Sequence, residues 1–474
     1  MGQNENKVQP SDNSNLIQSI VITSDPQYPW TPCMDGTGSN CSEENDETKR
    51  TTSERLIREQ YTNINSYTDM IPNTSILING DITAYGHNQL LISPEQQWKK
   101  MNELFKIFKK PYYYGLGNHD IENNKDKCHL DKCFRDSIGE LVNHVRRVNH
   151  IPDSQFDCNT YTVGAGINSG PGHSGSFAYT VHFGRICSIQ LNNAPTMHSV
   201  STGSNWRIEM KENLNWLESQ LKMAKADNQI IIVHVHKPND WVGGPSEKFK
   251  KLLKDYGVAA VFCGHYHKNC GEYTTSYANY FGGIPVFLSG SASQSKYLIL
   301  EQFSDRLDIY AIADNDWKNK KSKLSSINVP EPPRFNGNHQ IVTTLNNSSV
   351  LDLNGPDNVT LWRNNGGNNQ KWMFVYDLTK QAYRIYSVSN SRLALAWNDF
   401  QGSRNVFATP FVQEYDEHYW IVEPFSNGYL FKNKKDPNLV LDVHEGKTGD
   451  GTNIKVHERH PVGSPYSGAQ VFRL

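Results

Sequence analysis

Several features are scarce in this chain of 474 residues, and each scarcity excludes something. Long apolar runs are missing: an aliphatic stretch such as Ile230–Val233 spans four residues, against the roughly 18 that a membrane-crossing helix needs. Excess charge of one sign is missing too. The 47 Lys and Arg are balanced by 49 Asp and Glu, so the broad basic surface of a nucleic-acid binder is not indicated. Met1-Gly2 is followed by Asn6 where a myristoylation signal wants Ser or Thr. The first fifteen residues, MGQNENKVQPSDNSN, lack the apolar core of a secretion signal and read as a disordered lead-in. Cysteine is absent from the last 204 residues, although eight precede them.

What is present is an ordinary globular composition, 37% hydrophobic and 20% charged, with length for two or three domains. The cysteines come in short-spaced couples, which predicts disulfides, an oxidising compartment and a secreted chain. The simplest pairing is sequential: Cys33–Cys41, Cys128–Cys133, Cys158–Cys187 and Cys263–Cys270. Export then implies a signal already removed, or a route that uses none.

The first two thirds alternates strand and helix patterns. Buried-type strands are expected at 16–22, 75–78, 112–116, 177–183, 185–191, 230–235 and 258–262, with helices at 51–70, 94–109, 206–225 and 246–255. Residues 121–175 interrupt the rhythm and read as an irregular insertion, a possible lid whose His144, Arg146, Arg147 and His173 are candidates to meet phosphate. Five strands end in polar clusters: Asp25/Gln27, Asp81, Asn118/His119, His234/His236 and His265/His267. In a layered α/β fold such strand ends converge on one crevice. Carboxylate and imidazole together suit Mn, Fe or Zn rather than Ca.

This ordered set resembles the calcineurin-like metallophosphoesterases, over about residues 16–315. The matching residues are Asp25-Pro26-Gln27, Gly80-Asp81, Gly117-Asn118-His119-Asp120, His234 or His236, and Gly264-His265-Tyr266-His267. The resemblance implies a four-layer sandwich of two β-sheets flanked by helices over 16–328, holding two divalent transition metals. Asp25 and His267 would hold one ion, with Gln27 where the family usually has His. Asp81 would bridge to a second ion held by Asn118, His265 and a mid-chain His, for which His236-Lys237-Pro238 fits the family pattern and His234 is the alternative. A metal-bridging hydroxide would attack phosphorus, with His119 as general acid oriented by Asp120. Ala84 stands where purple acid phosphatases place a tyrosine ligand, so a tyrosinate-ligated ferric site is not expected.

Residues 329–335, with Pro330, Pro332 and Pro333, read as a stiff linker. Beyond it three units recur: Val350-Leu351-Asp352-Leu353, Leu393-Ala394-Leu395-Ala396 and Val440-Leu441-Asp442-Val443. Each is followed by an aromatic, Trp372, Trp420 or Phe472. The pattern resembles the ricin-B-type β-trefoil lectins, which implies an all-β trefoil over 336–474. The family's sugar site maps onto Asp352, Trp362, Asn369 and Gln370 in the first repeat, and onto Asp442, His457 and Gln470 in the third. The second repeat has Ala396 and His418 at the matching positions, so its pocket is expected to be lost.

The expectation is therefore a secreted enzyme that hydrolyses phosphate esters and is targeted to glycans by a lectin domain. Monoester against diester is left open. The alternatives are a carbohydrate-binding protein or toxin with a degenerate phosphoesterase domain, for which Gln27 speaks, and a trefoil that only docks protein.

Overall fold

In the computed structural model the described residues are 16–71, 73–86, 96–125, 128–329, 335, 337–377, 380–461 and 464–474. The lead-in 1–15, Pro94 at the expected helix start and Pro330–Pro333 of the expected linker lie outside them. The chain divides into two compact units. One holds Leu16–Lys225 and Gln229–Pro330, the other Glu331–Leu474 with Ala226–Asn228.

The first unit is built on two six-stranded sheets. In one, Gln18–Thr23, Thr74–Asn79 and Tyr112–Gly115 run parallel, extended by the antiparallel strands Tyr297–Gln302, Arg306–Ile312 and Lys321–Asn328. In the other, Ile186–Gln190, Ile230–His234, Ala260–Cys263 and Val286–Ser289 are parallel, with Tyr179–Phe183 and Cys270–Glu272 antiparallel at the edges. Continuous Val/Ile runs suit these strands because both faces are covered. Side chains of Gln18–Thr23 alternate: Ser19 and Thr23 bond to Tyr67 and Gln60 of helix Asp46–Thr68, whereas Gln18 donates to the Phe183 carbonyl of the second sheet. The second sheet alternates likewise. Ile230, Ile232 and Phe262 join the core shared with the first sheet, while Ile231, Val233 and Val261 pack on helices Leu214–Ala226 and Glu247–Asp255.

Helix Asp46–Thr68 starts five residues earlier than its apolar spacing predicts. Asn45 accepts from the Glu47 and Thr48 amides and Thr48 Oγ1 accepts from the Asn45 amide, a capping box that satisfies otherwise unpaired donors. The expected helix 206–225 is half strand: Arg207–Met210 alternates and pairs with Ser199–Thr202 and Gly170–Gly175, and the helix begins at Leu214. The segment expected to be irregular contains helix Lys132–Asn143, running into a π-helical turn His144–Val148. Its Phe134, Ile138, Leu141 and Val145 form one buried stripe at helical spacing.

The expected bridges Cys33–Cys41 and Cys128–Cys133 are formed. Cys158 is not joined to Cys187, nor Cys263 to Cys270. The reason is strand alternation. Cys187 and Cys263 face the two outer helices, whereas Cys158 and Cys270 pack against the core on the other side of the second sheet. Of the expected linker, Val329 donates its amide to Asp305 O in the first unit, and Phe335 donates to the Tyr383 hydroxyl in the second.

In the second unit thirteen strands pair into one sheet. Its pairings close on themselves, because Asn358–Arg363 meets Ser349–Asn354, Val406–Pro410 and Thr452–Glu458. Trp372, Trp420 and Phe472 are fully buried together. Trp372 Nε1 donates to Leu351 O at 3.1 Å and Trp420 Nε1 to Leu395 O at 2.8 Å, the same bond in successive repeats.

His144, a candidate phosphate contact, is a core residue instead. Its ring stacks on Tyr114 with centroids 3.9 Å apart, and Nε2 accepts from the Tyr114 amide at 3.3 Å. Burial pushes its pKa down to about 3. The unfolded chain therefore binds a proton that the folded one refuses as pH falls below about 6.5, at a cost of up to about 1.4 kcal/mol per pH unit until the folded value is reached. Urea titrations between neutral and acid pH should show His144→Gln losing less stability on acidification than the wild type. Parallel pH slopes would remove His144 as the source.

Candidate functional site

The parallel strands of both sheets deliver their carboxyl ends to one place. Asp25, Gln27 and Asp81 follow strands of the first sheet; His236 and His265 follow strands of the second. His236 Nε2 lies 3.1 Å from Asp81 Oδ2 and 4.0 Å from Asp25 Oδ1. His267 Nε2 lies 3.3 Å from Asp25 Oδ1. Asn118 Oδ1 is 3.0 Å from His236 Nε2 and 2.9 Å from His265 Nδ1. Two groups emerge in which one ligand atom per residue falls within 4.8 Å of the others: Asp81/His236/His265 and Asp25/Asp81/His267. Asp81 belongs to both.

The backbone at these strand ends is forced. Asp25 (φ 50°), Gln27 (φ 44°), Asp81 (φ 48°) and His265 (φ 73°) all adopt left-handed conformations that non-glycine residues avoid. The glycines of the motifs have a steric reason. A Cβ on Gly117 would overlap Asp81 Oδ1, and one on Gly264 would come within 2.7 Å of Asp25 Oδ2. Each glycine lets one strand end reach the carboxylate of another.

Electrostatics match a cation site. Burial disfavours charge on Asp81, yet His236, His119 and His265 together outweigh it and hold the carboxyl below the ordinary range. Burial also opposes charge on His236, but Asp81 and Asp25 raise it to about 9. The Gln27 amide is fully buried, and among the described residues neither its oxygen nor its nitrogen has a hydrogen-bond partner. Gln27 also donates its backbone N–H to Asp81 O at 2.9 Å, and an orphaned buried amide on this turn fits a cation ligand better than a packing role.

One alternative falls away and one expectation changes. His234 is not part of either group. It lies on the same strand face as His236 but one pleat further from the crevice, stacked on Phe262, with Nδ1 bonded to Asn79 Oδ1 at 2.8 Å. Asp120 does not orient His119. Its carboxylate accepts from the Ile82, Thr83 and Gly117 amides at 3.0, 2.9 and 3.0 Å and from the Thr83 hydroxyl at 2.8 Å, tying the Asp81 turn to the Asn118 turn. Burial, then Asp81, raise its pKa to about 6. The His119 ring is held instead by Ala84 O, 2.8 Å from Nδ1.

Sequence reasoning missed Asp35. Its carboxylate is 2.6 Å from His267 Nδ1 and accepts from Trp30 Nε1 (2.8 Å), Ser293 Oγ (2.5 Å) and Gln294 Nε2 (2.7 Å). It sits in the loop closed by Cys33–Cys41, the one signal that could have marked it. Asn79 was also missed: its carbonyl is 2.7 Å from His236 Nδ1, leaving Nε2 toward Asp81. Asn193 and Trp241 line a pocket of about 170 Å³ together with Glu122 and Lys237.

In the second unit, Asn369 Nδ2 and Gln370 Nε2 both donate to Asp352 Oδ2, at 2.9 and 2.8 Å, and Trp362 follows on the paired strand. In the third repeat Gln470 Nε2 donates to Asp442 Oδ2 at 3.0 Å, and His457 is opposite Val440. In the second repeat Ala396 offers no carboxylate, and His418 Nδ1 accepts from the Val412 amide at 3.0 Å.

A family model for calcineurin-like phosphoesterases matches residues 19–269, more than half of the chain, and the protein belongs to that family. A model for the ricin-type β-trefoil lectin domain matches residues 368–457, so a lectin-type domain follows the phosphoesterase domain. Among curated proteins, the main hemagglutinin component type C of a Clostridium botulinum phage is 37% identical over 101 residues, covering 21% of this chain and 34% of that protein. Pierisin of Pieris brassicae is 29% identical over 123 residues, covering 25% of this chain and 14% of its own length. The chain thus spans about a third or less of these relatives. Among solved structures, a mosquitocidal holotoxin aligns with TM-score 0.28 and 28% identity, over 33% of this chain and 19% of that one. The phosphoesterase family generally uses divalent metals, and the Asp/His groups above can hold one. No helix among the described residues is long and apolar enough to cross a membrane.

Carboxylate partners of ligating histidines fix ring orientation, and losing one typically weakens metal binding about 10–100-fold. Asp35→Asn should therefore release metal to a competing chelator at concentrations lower by about that factor. Retention equal to the wild type would remove Asp35 from the site.

Proposed function

We propose that the first unit is a metal-dependent phosphoesterase and that the second binds glycans, the whole acting outside the cell. The observation that carries the enzyme reading is the pair of ligand groups sharing Asp81, with the orphaned buried amide of Gln27 two residues after Asp25. Asp25, Gln27 and His267 would hold one divalent transition metal and Asn118, His236 and His265 a second, with Asp81 between them and Mn, Fe or Zn as candidates. Such ions supply Lewis acidity for the phosphorus centre and for the attacking water. The two sheets with helices outside each are read as the four-layer arrangement.

The chain's own residues do the rest. His119 donates its backbone N–H to Asp81 Oδ1 at 2.8 Å, which fixes the carboxylate. With Nδ1 bonded to Ala84 O, its Nε2 is the nitrogen available to protonate a leaving oxygen. Asp120 holds the Asp81 and Asn118 turns in register. Substrate is a phosphate ester, and glycans at the Asp352 and Asp442 pockets would localise the enzyme. A hemagglutinin component among the relatives supports the glycan half.

Assays of phosphomonoester and phosphodiester substrates with added Mn, Fe or Zn should give a rate that Asp81→Asn lowers by more than about 100-fold. A wild-type protein without rate and without metal by elemental analysis would instead be a degenerate domain. His119→Asn should slow esters of weakly acidic alcohols more than nitrophenyl esters, by about 10²–10⁴-fold; equal slowing would deny it the acid role. Glycan-array binding should fall in Asp352→Ala, and unchanged binding would favour a protein-docking trefoil.

A further inference from the structure

The geometry points to a metal site in the third repeat of the second unit, formed by Asp442, His457 and His460 and suited to zinc or a similar divalent transition ion. One ligand atom from each lies within 4.8 Å of the others. His460 Nε2 is 3.4 Å from Asp442 Oδ2, which is the edge expected of a tetrahedron with bonds of about 2.0–2.2 Å. The two imidazole rings are inclined by 28°, with centroids 4.7 Å apart. Two imidazoles and a carboxylate are a set that binds zinc and leaves a fourth position open.

The surrounding bonds prepare these ligands. His457 Nδ1 is 2.8 Å from the Glu458 carbonyl, so it carries the proton and Nε2 keeps the lone pair. That is the outer bond a ligating histidine makes. One buried amide ties together Asp442, His460 and Glu458, the residue whose carbonyl meets His457. Gln470 Nε2 donates to Asp442 Oδ2 (3.0 Å) and to Glu458 O (2.9 Å), and Gln470 Oε1 accepts from the His460 amide (2.9 Å). Lys455 Nζ lies 3.9 Å from the other carboxylate oxygen of Asp442.

The first repeat isolates what is special. Gln370 makes the same three bonds, to Asp352 Oδ2, Arg363 O and the Asn365 amide, at 2.8, 2.9 and 2.8 Å. Yet the positions of the imidazoles are taken there by Trp362 and Asn365, and Asn369 donates to the carboxylate where the third repeat has Ala469. The scaffold therefore does not demand histidine at either place. Loss of the Asn donor and gain of two imidazoles add metal ligands to a pocket that keeps its Asp442–Gln470 hydrogen bond. This goes beyond the glycan reading, since no sugar is needed for the ion to bind.

The test is peptide-resolved carbethoxylation of the full chain by diethyl pyrocarbonate, with and without zinc. Counting bound ions would not decide, because the first unit also offers ligands. Zinc at about 0.1 mM should slow modification of His457 and His460 about tenfold or more, and a chelator should restore it. Exposed His444, in the same repeat, should react alike throughout. Protection should vanish in Asp442→Asn, and His457 should lose it in His460→Gln. Equal rates with and without zinc, or protection that survives both substitutions, would overturn the site.

Discussion

The contact of Asp81 with His236, 3.1 Å apart where the two sheets meet, is what the rest of the first unit is arranged around. Both residues are almost fully buried, as is Asp25. Taking a carboxylate out of water costs several kcal/mol unless opposite charge and donors are supplied. The supply comes from both sheets. His236 and His265 come from the second; the His119 amide and, through Asp120, the Gly117 turn come from the first. No single strand could satisfy these groups, so the crevice exists only when the sheets are packed.

Geometry this tight has a backbone consequence. Four candidate ligands are held in left-handed conformations, each of which disfavours the turn by itself. Such turns persist where neighbours over-determine them, and here they are locked by bonds between neighbouring strand ends of the same sheet: Asp25 N to Gly80 O and Gln27 N to Asp81 O in the first, Gly264 N to His236 O in the second. Asp35 adds an outer tie. The Cys33–Cys41 bridge closes a short loop that carries Asp35 to His267, so a covalent constraint and a metal-type ligand are linked through one carboxylate.

Much of this was legible in the sequence because the signals are local. A glycine followed by a ligand at a strand end is a contiguous word, and close packing is why the glycine is there. The three aliphatic-Asp units with a later aromatic were legible for the same reason. What failed was information carried across the fold. Asp35 has no neighbouring motif, and its partner is more than two hundred residues away. The pairing of Cys158 with Cys187 fails on strand parity, which spacing does not reveal. Helix Lys132–Asn143 was readable from Phe134, Ile138 and Leu141, but polar residues around the stripe obscured it. His460 was hidden because its counterpart in the first repeat is Asn365, an ordinary turn residue.

In the lectin-type unit, Gln370, His418 and Gln470 each accept from one backbone amide of the loop before them, Asn365, Val412 and His460. This tie holds whether or not a carboxylate is present, since the second repeat keeps it without one. Barrel integrity is thus uncoupled from pocket chemistry. The pocket residues differ by a few local substitutions, and the three repeats diverge in them while sharing one closed scaffold.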